Sequence, residues 1–281
     1  MKSEALTNPH LFLKEYREKL ESLSYRKIRH GKLTDNLIIE EKALPCEGGE
    51  KPKSYLLKKD GYKLIKSRNP SLLIPYLEWE IFHAYIDEIS EDFSVFHAAS
   101  IVKDGKAILL VGESGKGKTT LTVSLVKRGF RYLSDDLSAI HPVTLKVLPT
   151  PKAVHLKGES MEFFPSLSPE FVAVPYPDGF FPGFKKALCC FPTKDILPAL
   201  DTDFSIHLIL FLRRCEAIEL QLAPKSQAAA QFFAYSYNRA LKDFNTAMQL
   251  AQKTPAFFIP VGELSSTCLT IERLFKGEID V

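Results

Sequence analysis

The sequence predicts an α/β domain from residue 91 to 281, preceded by a smaller α+β section over residues 1–90. Three observations carry this reading. From residue 93 onward, apolar strand-like runs alternate with helix-periodic segments. A glycine-rich stretch at 112–117 joins one such strand to one such helix. Earlier in the chain, LPCEGGEKPK over 44–53 is the strongest internal break, and no repeat or low-complexity tract is present.

Composition narrows the class. The chain has 281 residues, 45% hydrophobic and 25% charged, enough apolar material for a sizeable core. A net charge of +3 is too small to argue for nucleic acid or a membrane surface as partner. No run approaches the ~20 apolar residues of a membrane helix. The opening MKSEALTNPHLFLKEYREKL lacks the apolar core of a signal peptide, so the expected compartment is the cytoplasm. The cysteine count, five, is odd and no pair has CxxC spacing, which reads as buried free thiols.

The elements follow in order. Residues 11–22 carry a helical pattern, and short strand-like runs lie at 36–40, 54–58 and 62–66. An amphipathic helix spans 70–89, with Pro70 near its start. Residues 94–102 read as a strand, Asp104-Gly105 as a hairpin turn, and 106–111 as the returning strand. A helix covers 118–127, with Gly129 as its cap. Strand-like 132–133, Ser134-Asp135-Asp136, strand-like 137–141 and a hairpin partner at 143–147 come next. Residues 149–198 are rich in proline and aromatics and read as a long irregular stretch, in which Lys152 and Lys157 read as surface residues. Strands at 204–212 and 218–222, one long helix at 225–252, a strand at 256–261 and a helix at 265–276 close the chain.

Gly112, Glu113, Ser114, Gly115, Lys116, Gly117, Lys118 and Thr119 match G-x-x-x-x-G-K-[ST] in full. Glycines let the backbone fold around phosphate oxygens, and successive N–H groups with the helix N-terminus face the anion. Lys118 is placed to reach the β- and γ-phosphates, and Thr119 to put its hydroxyl on Mg²⁺. Lys116 either adds charge at the phosphates or is solvated. His97 lies 21 residues before Lys118, on the first strand of the hairpin. Asp135 and Asp136 lie at the start of the strand after the loop's helix, where carboxylates can hold Mg²⁺ or accept a proton from an attacking hydroxyl.

The segment Phe96-His97-Ala98-Ala99, the loop, and Lys127-Arg128-Gly129-Phe130-Arg131-Tyr132-Leu133-Ser134-Asp135-Asp136 together resemble the catalytic domain of HPr kinase/phosphorylase. They are more similar still to HPr-kinase-related proteins of peptide-modification systems, some of which phosphorylate a serine on a lasso-peptide precursor. The firm resemblance covers about 93–140; beyond it only the pattern of elements matches. Residues 1–90 look like the variable leaders of the related kinases. The resemblance implies a phosphoenolpyruvate-carboxykinase-like fold, ATP and Mg²⁺, and a peptide or protein substrate carrying a serine. It implies Asp136 as the catalytic proton acceptor, Asp135 as its metal- or water-holding neighbour, and His97 as the active-site histidine. Lys118 and Thr119 fall on the phosphate and metal positions. HPr kinase is a hexamer, so a homo-oligomer is left open.

The chain departs from that pattern in three places. Thr120 stands where the family has Glu, and only Glu159 offers itself as the downstream metal-binding Glu. The family's two-arginine motif is absent, with Arg213-Arg214 and Lys185-Lys186 the nearest basic pairs. These departures speak against the reverse, phosphorylase reaction and against HPr as substrate. A serine kinase, a nucleotide-binding regulator without kinase activity, and a small-molecule kinase of the same fold remain open. Residues 1–90 could bind the substrate, their short strands offering an edge for strand addition.

Overall fold

The computed structural model describes residues 5, 7–22, 37–44, 53–164, 170–176, 187–213 and 219–279. They group into two compact units: Met1–Glu88 with Ala153–Lys194, and Ile89–Lys152 with Asp195–Val281. The sequence suggested two continuous pieces divided at 90/91. The grouping instead returns Ala153–Lys194 to the first unit.

In the first unit, helix α1 (Pro9–Ser22) starts where the Asn8 side chain accepts from the amides of His10 and Leu11 at 3.1 and 3.3 Å. Strands β1 (Leu37–Ala43), β2 (Lys53–Lys59) and β3 (Tyr62–Ser67) form an antiparallel meander. Asp60 and Gly61, both at positive φ (50° and 80°), make the tight turn between β2 and β3. Pro70 opens a 3-10 turn, Pro70–Leu73, capped by Asn69, and helix α2 (Ile74–Ile89) continues from it. The proline is tolerated because a first-turn N–H has no intrahelical partner. Ile74, Leu77, Ile81, Phe82 and Tyr85 form the buried face of α2.

The second unit begins with strands β4 (Ser94–Phe96), β5 (Ala98–Lys103) and β6 (Lys106–Val111), the last two joined by Asp104-Gly105 at φ 50° and 73°. Helix α3 (Lys118–Lys127) follows, then β7 (Arg131–Ser134), β8 (Ser138–Ile140) and β9 (Lys146–Leu148). The chain then re-enters the first unit, where β10 (Val154–Lys157), β11 (Phe171–Pro175) and β12 (Ala187–Pro192) form an antiparallel sheet in the order β10-β12-β11. The stretch read as irregular therefore contains a sheet. Its alternation is hidden because β12, ALCCFP, is apolar on both faces. Back in the second unit come β13 (Phe204–Arg213), β14 (Gln221–Leu222), α4 (Lys225–Ala234), α5 (Leu241–Lys253), β15 (Ala256–Pro260) and α6 (Leu264–Lys276).

The nine-stranded sheet of this unit runs β4-β8-β9-β13-β6-β5-β7, with β15 on β13 and β14 on β15. It is mixed α/β, as the alternation implied. β6 and β13 pair in parallel at its centre, and their runs 107–111 and 208–212 are apolar and buried, as strands covered on both faces require. The single helix expected at 225–252 is broken. Residues 235–240 leave it to pair with the sheet: Phe96 bridges Ser236, and the Tyr237 amide donates to Val95 at 2.8 Å. Among the described residues no helix is long and apolar enough to cross a membrane.

Strand direction fixes where chemistry can gather. β5 is antiparallel to both β6 and β7, so those two point the same way, as does β13. The ends of β6, β7 and β13 and the start of β5 therefore share one edge of the sheet. Gly112, Asp135, Arg213 and His97 sit at those four ends.

Candidate active site

The loop leaves the carboxyl end of β6 and closes on the N-terminus of α3. Gly117 is the N-cap of α3 at φ 92°, and Gly115 lies at φ 79°, both conformations that a Cβ disfavours. At Gly112 a Cβ would meet the Leu212 Cβ at 3.3 Å, a tight contact where β6 and β13 lie side by side. Glu113, Ser114 and Gly115 are exposed, leaving the concave backbone open to an anion. Lys118 is buried, and its Nζ donates to the carbonyls of Gly112 at 2.6 Å and Glu113 at 3.1 Å. Burial lowers its pKa, against the pull of Asp136, Asp135 and Glu113. Lys116 makes an exposed contact with Glu113 at 3.6 Å, of the kind that contributes little.

Asp135 and Asp136 follow β7 rather than open the next strand, because the Ser134 hydroxyl donates to Leu137 at 2.6 Å and turns the chain there. The turn sends the two carboxylates into different surroundings. Thr119 Oγ1 donates to Asp135 Oδ2 at 3.1 Å, which joins the first turn of α3 to the end of β7. The other oxygen, Asp135 Oδ1, is buried without a hydrogen-bond partner. Burial, then the neighbouring Asp136, raises the Asp135 pKa to about 6. A buried carboxylate with an unsatisfied oxygen beside a threonine hydroxyl suits a hard divalent cation. Among the described residues no cluster of three or more His, Cys, Asp or Glu could hold a metal alone. Mg²⁺ does not require one, since it ordinarily takes one or two carboxylates with phosphate oxygens and water.

Both oxygens of Asp136 are engaged. Oδ1 lies 3.1 Å from His97 Nδ1, and Oδ2 lies 2.9 Å from Lys152 Nζ. Burial would raise this carboxyl, but Lys152, His97 and Lys118 outweigh burial and hold it well below the usual carboxylate range. Burial lowers the His97 pKa, with Lys118 and Lys152 acting in the same direction and Asp136 against them. His97 Nδ1, at 3.1 Å from Asp136 Oδ1, forms an ion pair with that carboxylate when the ring is protonated, a state that burial disfavours. His97 owes its position to a break between β4 and β5, where its amide donates to the Tyr235 carbonyl at 2.7 Å.

Sequence reasoning placed Lys152 on the surface; it is buried, with 4% of its side chain exposed. Its segment is fastened to β7: Thr150 N–H donates to Leu133 O at 3.2 Å, and the Tyr132 hydroxyl to Lys152 O at 2.7 Å. The available signal was Pro149 and Pro151, which stiffen the approach to a lysine that follows the Asp pair. Thr120, half-buried in the first turn of α3, puts a short hydroxyl where the family pattern has a carboxylate. Arg213 stands at the shared edge, donating to Gln231 Oε1 at 2.8 Å and lying over the Phe258 ring. Arg214, Lys185, Lys186, Cys46, Cys215 and the side chain of Glu159 lie outside the described residues. Cys189, Cys190 and Cys268 are free and buried.

Comparison with known proteins gives one sequence relative of note. Over 140 residues the chain is 26% identical to the HPr kinase/phosphorylase of Malacoplasma penetrans (strain HF-2). The homology is weak and partial. It takes in 50% of this chain, and the chain spans only 43% of that relative. No family model matches. Among solved structures, the Hpr(Ser) kinase/phosphatase of Coxiella burnetii overlaps 66% of this chain and 89% of its own, at 14% identity and a TM-score of 0.35. A likeness at that score has no weight here.

Proposed function

We propose that the chain is a Mg²⁺-ATP-dependent kinase that transfers the γ-phosphoryl group to a serine hydroxyl of a peptide or protein. The carrying observation is the meeting, at one sheet edge, of a full phosphate loop with two adjacent carboxylates in opposite electrostatic states. The weak homology to an HPr kinase/phosphorylase supports the same reading. The missing two-arginine motif argues against HPr as that substrate and against the reverse, phosphorylase reaction.

In this mechanism the loop amides and the α3 N-terminus bind the phosphates, and Lys118 turns from the loop carbonyls to the β- and γ-oxygens. Thr119 and Asp135 would hold Mg²⁺, which supplies positive charge against the transferred group. The serine oxygen forms a bond to the γ-phosphorus while the bond to the bridging oxygen breaks and its electron pair leaves on ADP. The serine proton goes to Asp136, which is ionised at neutral pH. A loose phosphoryl transfer asks for position more than for strong basicity, so a carboxylate fixed at both oxygens serves. His97 steadies that carboxylate through Nδ1.

Incubation with γ-labelled ATP, Mg²⁺ and a panel of serine-containing peptides tests the reading. Label on a peptide serine is the expected result. Tight ATP binding with no labelled product would favour a nucleotide-binding regulator, with Thr120 marking the silenced position.

A further inference from the structure

We infer that Lys152 is a positioning residue of this site: its ammonium group clamps Asp136 Oδ2 and so fixes the carboxylate against His97. This rests on the kinase reading for its catalytic consequence, though not for its geometry. Lys152 Nζ reaches Oδ2 at 2.9 Å from one side, and His97 Nδ1 reaches Oδ1 at 3.1 Å from the other. Nitrogens set against separate oxygens restrict the plane of the carboxylate, Lys152 by a charged hydrogen bond and His97 by an ion-pair contact, whereas one alone leaves it freer to rotate about its Cβ–Cγ bond.

The clamp is rigid at its own end. Pro149 and Pro151 fix two φ angles just before it. The Thr150 amide and hydroxyl hold Leu133 O and Leu137 O at 3.2 and 2.8 Å, one on either side of the Asp pair. The Tyr132 hydroxyl holds the Lys152 carbonyl. A lysine this buried is rare without a specific electrostatic partner, and here the partner is the residue that would accept the substrate proton.

The test uses the full chain as Lys152→Met and Lys152→Arg, with two readouts. The first is NMR titration of the His97 ring, which needs no catalysis. The charges facing that ring are Asp136, Lys118 and Lys152. Removing the lysine charge should move the His97 titration upward in Lys152→Met, while Lys152→Arg should stay near wild type. The second is peptide phosphorylation. Lys152→Met should lose about tenfold to a hundredfold in kcat with ATP affinity within about threefold, and Lys152→Arg should recover part of the loss. Loss of ATP binding alongside kcat in both variants would signify a structural role and overturn the inference. So would an unmoved His97 titration in Lys152→Met. If the wild type phosphorylates no peptide, the kinase reading fails, and the His97 titration still decides the role of Lys152.

Discussion

Asp135 and Asp136 are neighbours in sequence and opposites in chemistry. The pair itself is legible in the sequence, and so is its link to the loop, since carboxylates after the next strand return beside a phosphate loop in any such unit. The division of labour is not, because it depends on Lys152 and on which oxygen each donor reaches. That information lies in a turn at Ser134 and a proline-stiffened segment with no periodic signal. The raised pKa of Asp135 has a stability consequence. Its folded value, about 6, lies above the unfolded 3.8, so the ionised form opposes folding above pH 6 by about 3 kcal/mol. This cost shrinks as pH falls from 6 toward 4, where both states become protonated. Asp135→Asn should accordingly be more stable than wild type at pH 7.5, with the gain fading toward pH 4, and should lose Mg²⁺-dependent turnover. Thermal melts of the two proteins across that pH range check the first part. An Asn variant less stable at pH 7.5 would contradict it.

At the scale of elements, those with a strong local signal are the ones the sequence yields. Helix α3, the Asp104-Gly105 hairpin and the closing helix α6 fall within a residue or two of their expected bounds. The break between α4 and α5 is hidden, since apolar spacing carries on through it. It is imposed by tertiary pairing with β4 and locked by Asp243. Asp243 Oδ2 accepts from the Ser236 hydroxyl at 2.6 Å and from the Ala240 amide at 3.2 Å, while Arg239 sits at φ 53°. Asp243→Ala removes the cap of α5 and leaves Ser236 without this partner. It should cost about 1–2 kcal/mol, measured by urea unfolding. No change in the midpoint would mean the link holds without it. The same link carries the carbonyl that positions His97, so this variant should also lower phosphoryl transfer more than ATP affinity.

For the whole molecule, the chain passes twice through each unit, and this the sequence does not disclose. The return of residues 153–194 to the first unit rests on contacts between residues far apart in sequence, such as the Ala153 amide donating to Glu78 Oε1 at 3.2 Å and Phe12 packing edge-on against Phe191, for which no local pattern exists. The residues proposed to bind the nucleotide, by contrast, all belong to the second unit. Mg²⁺-ATP at about a hundred times its Kd should therefore stabilise that unit by about 2.7 kcal/mol, seen as a rise in melting temperature. Lys118→Ala should lose most of that rise. A shift that survives in this variant would place the nucleotide elsewhere.

The most direct test of the central claim is single-turnover phosphoryl transfer by Asp136→Asn beside ATP binding to the same protein. The account predicts a loss of at least about a hundredfold in transfer with ATP affinity within a few-fold of wild type, because the loop binds and Asp136 reacts. Undiminished transfer to the serine peptide would contradict it and would move the proton acceptor to another group at the sheet edge.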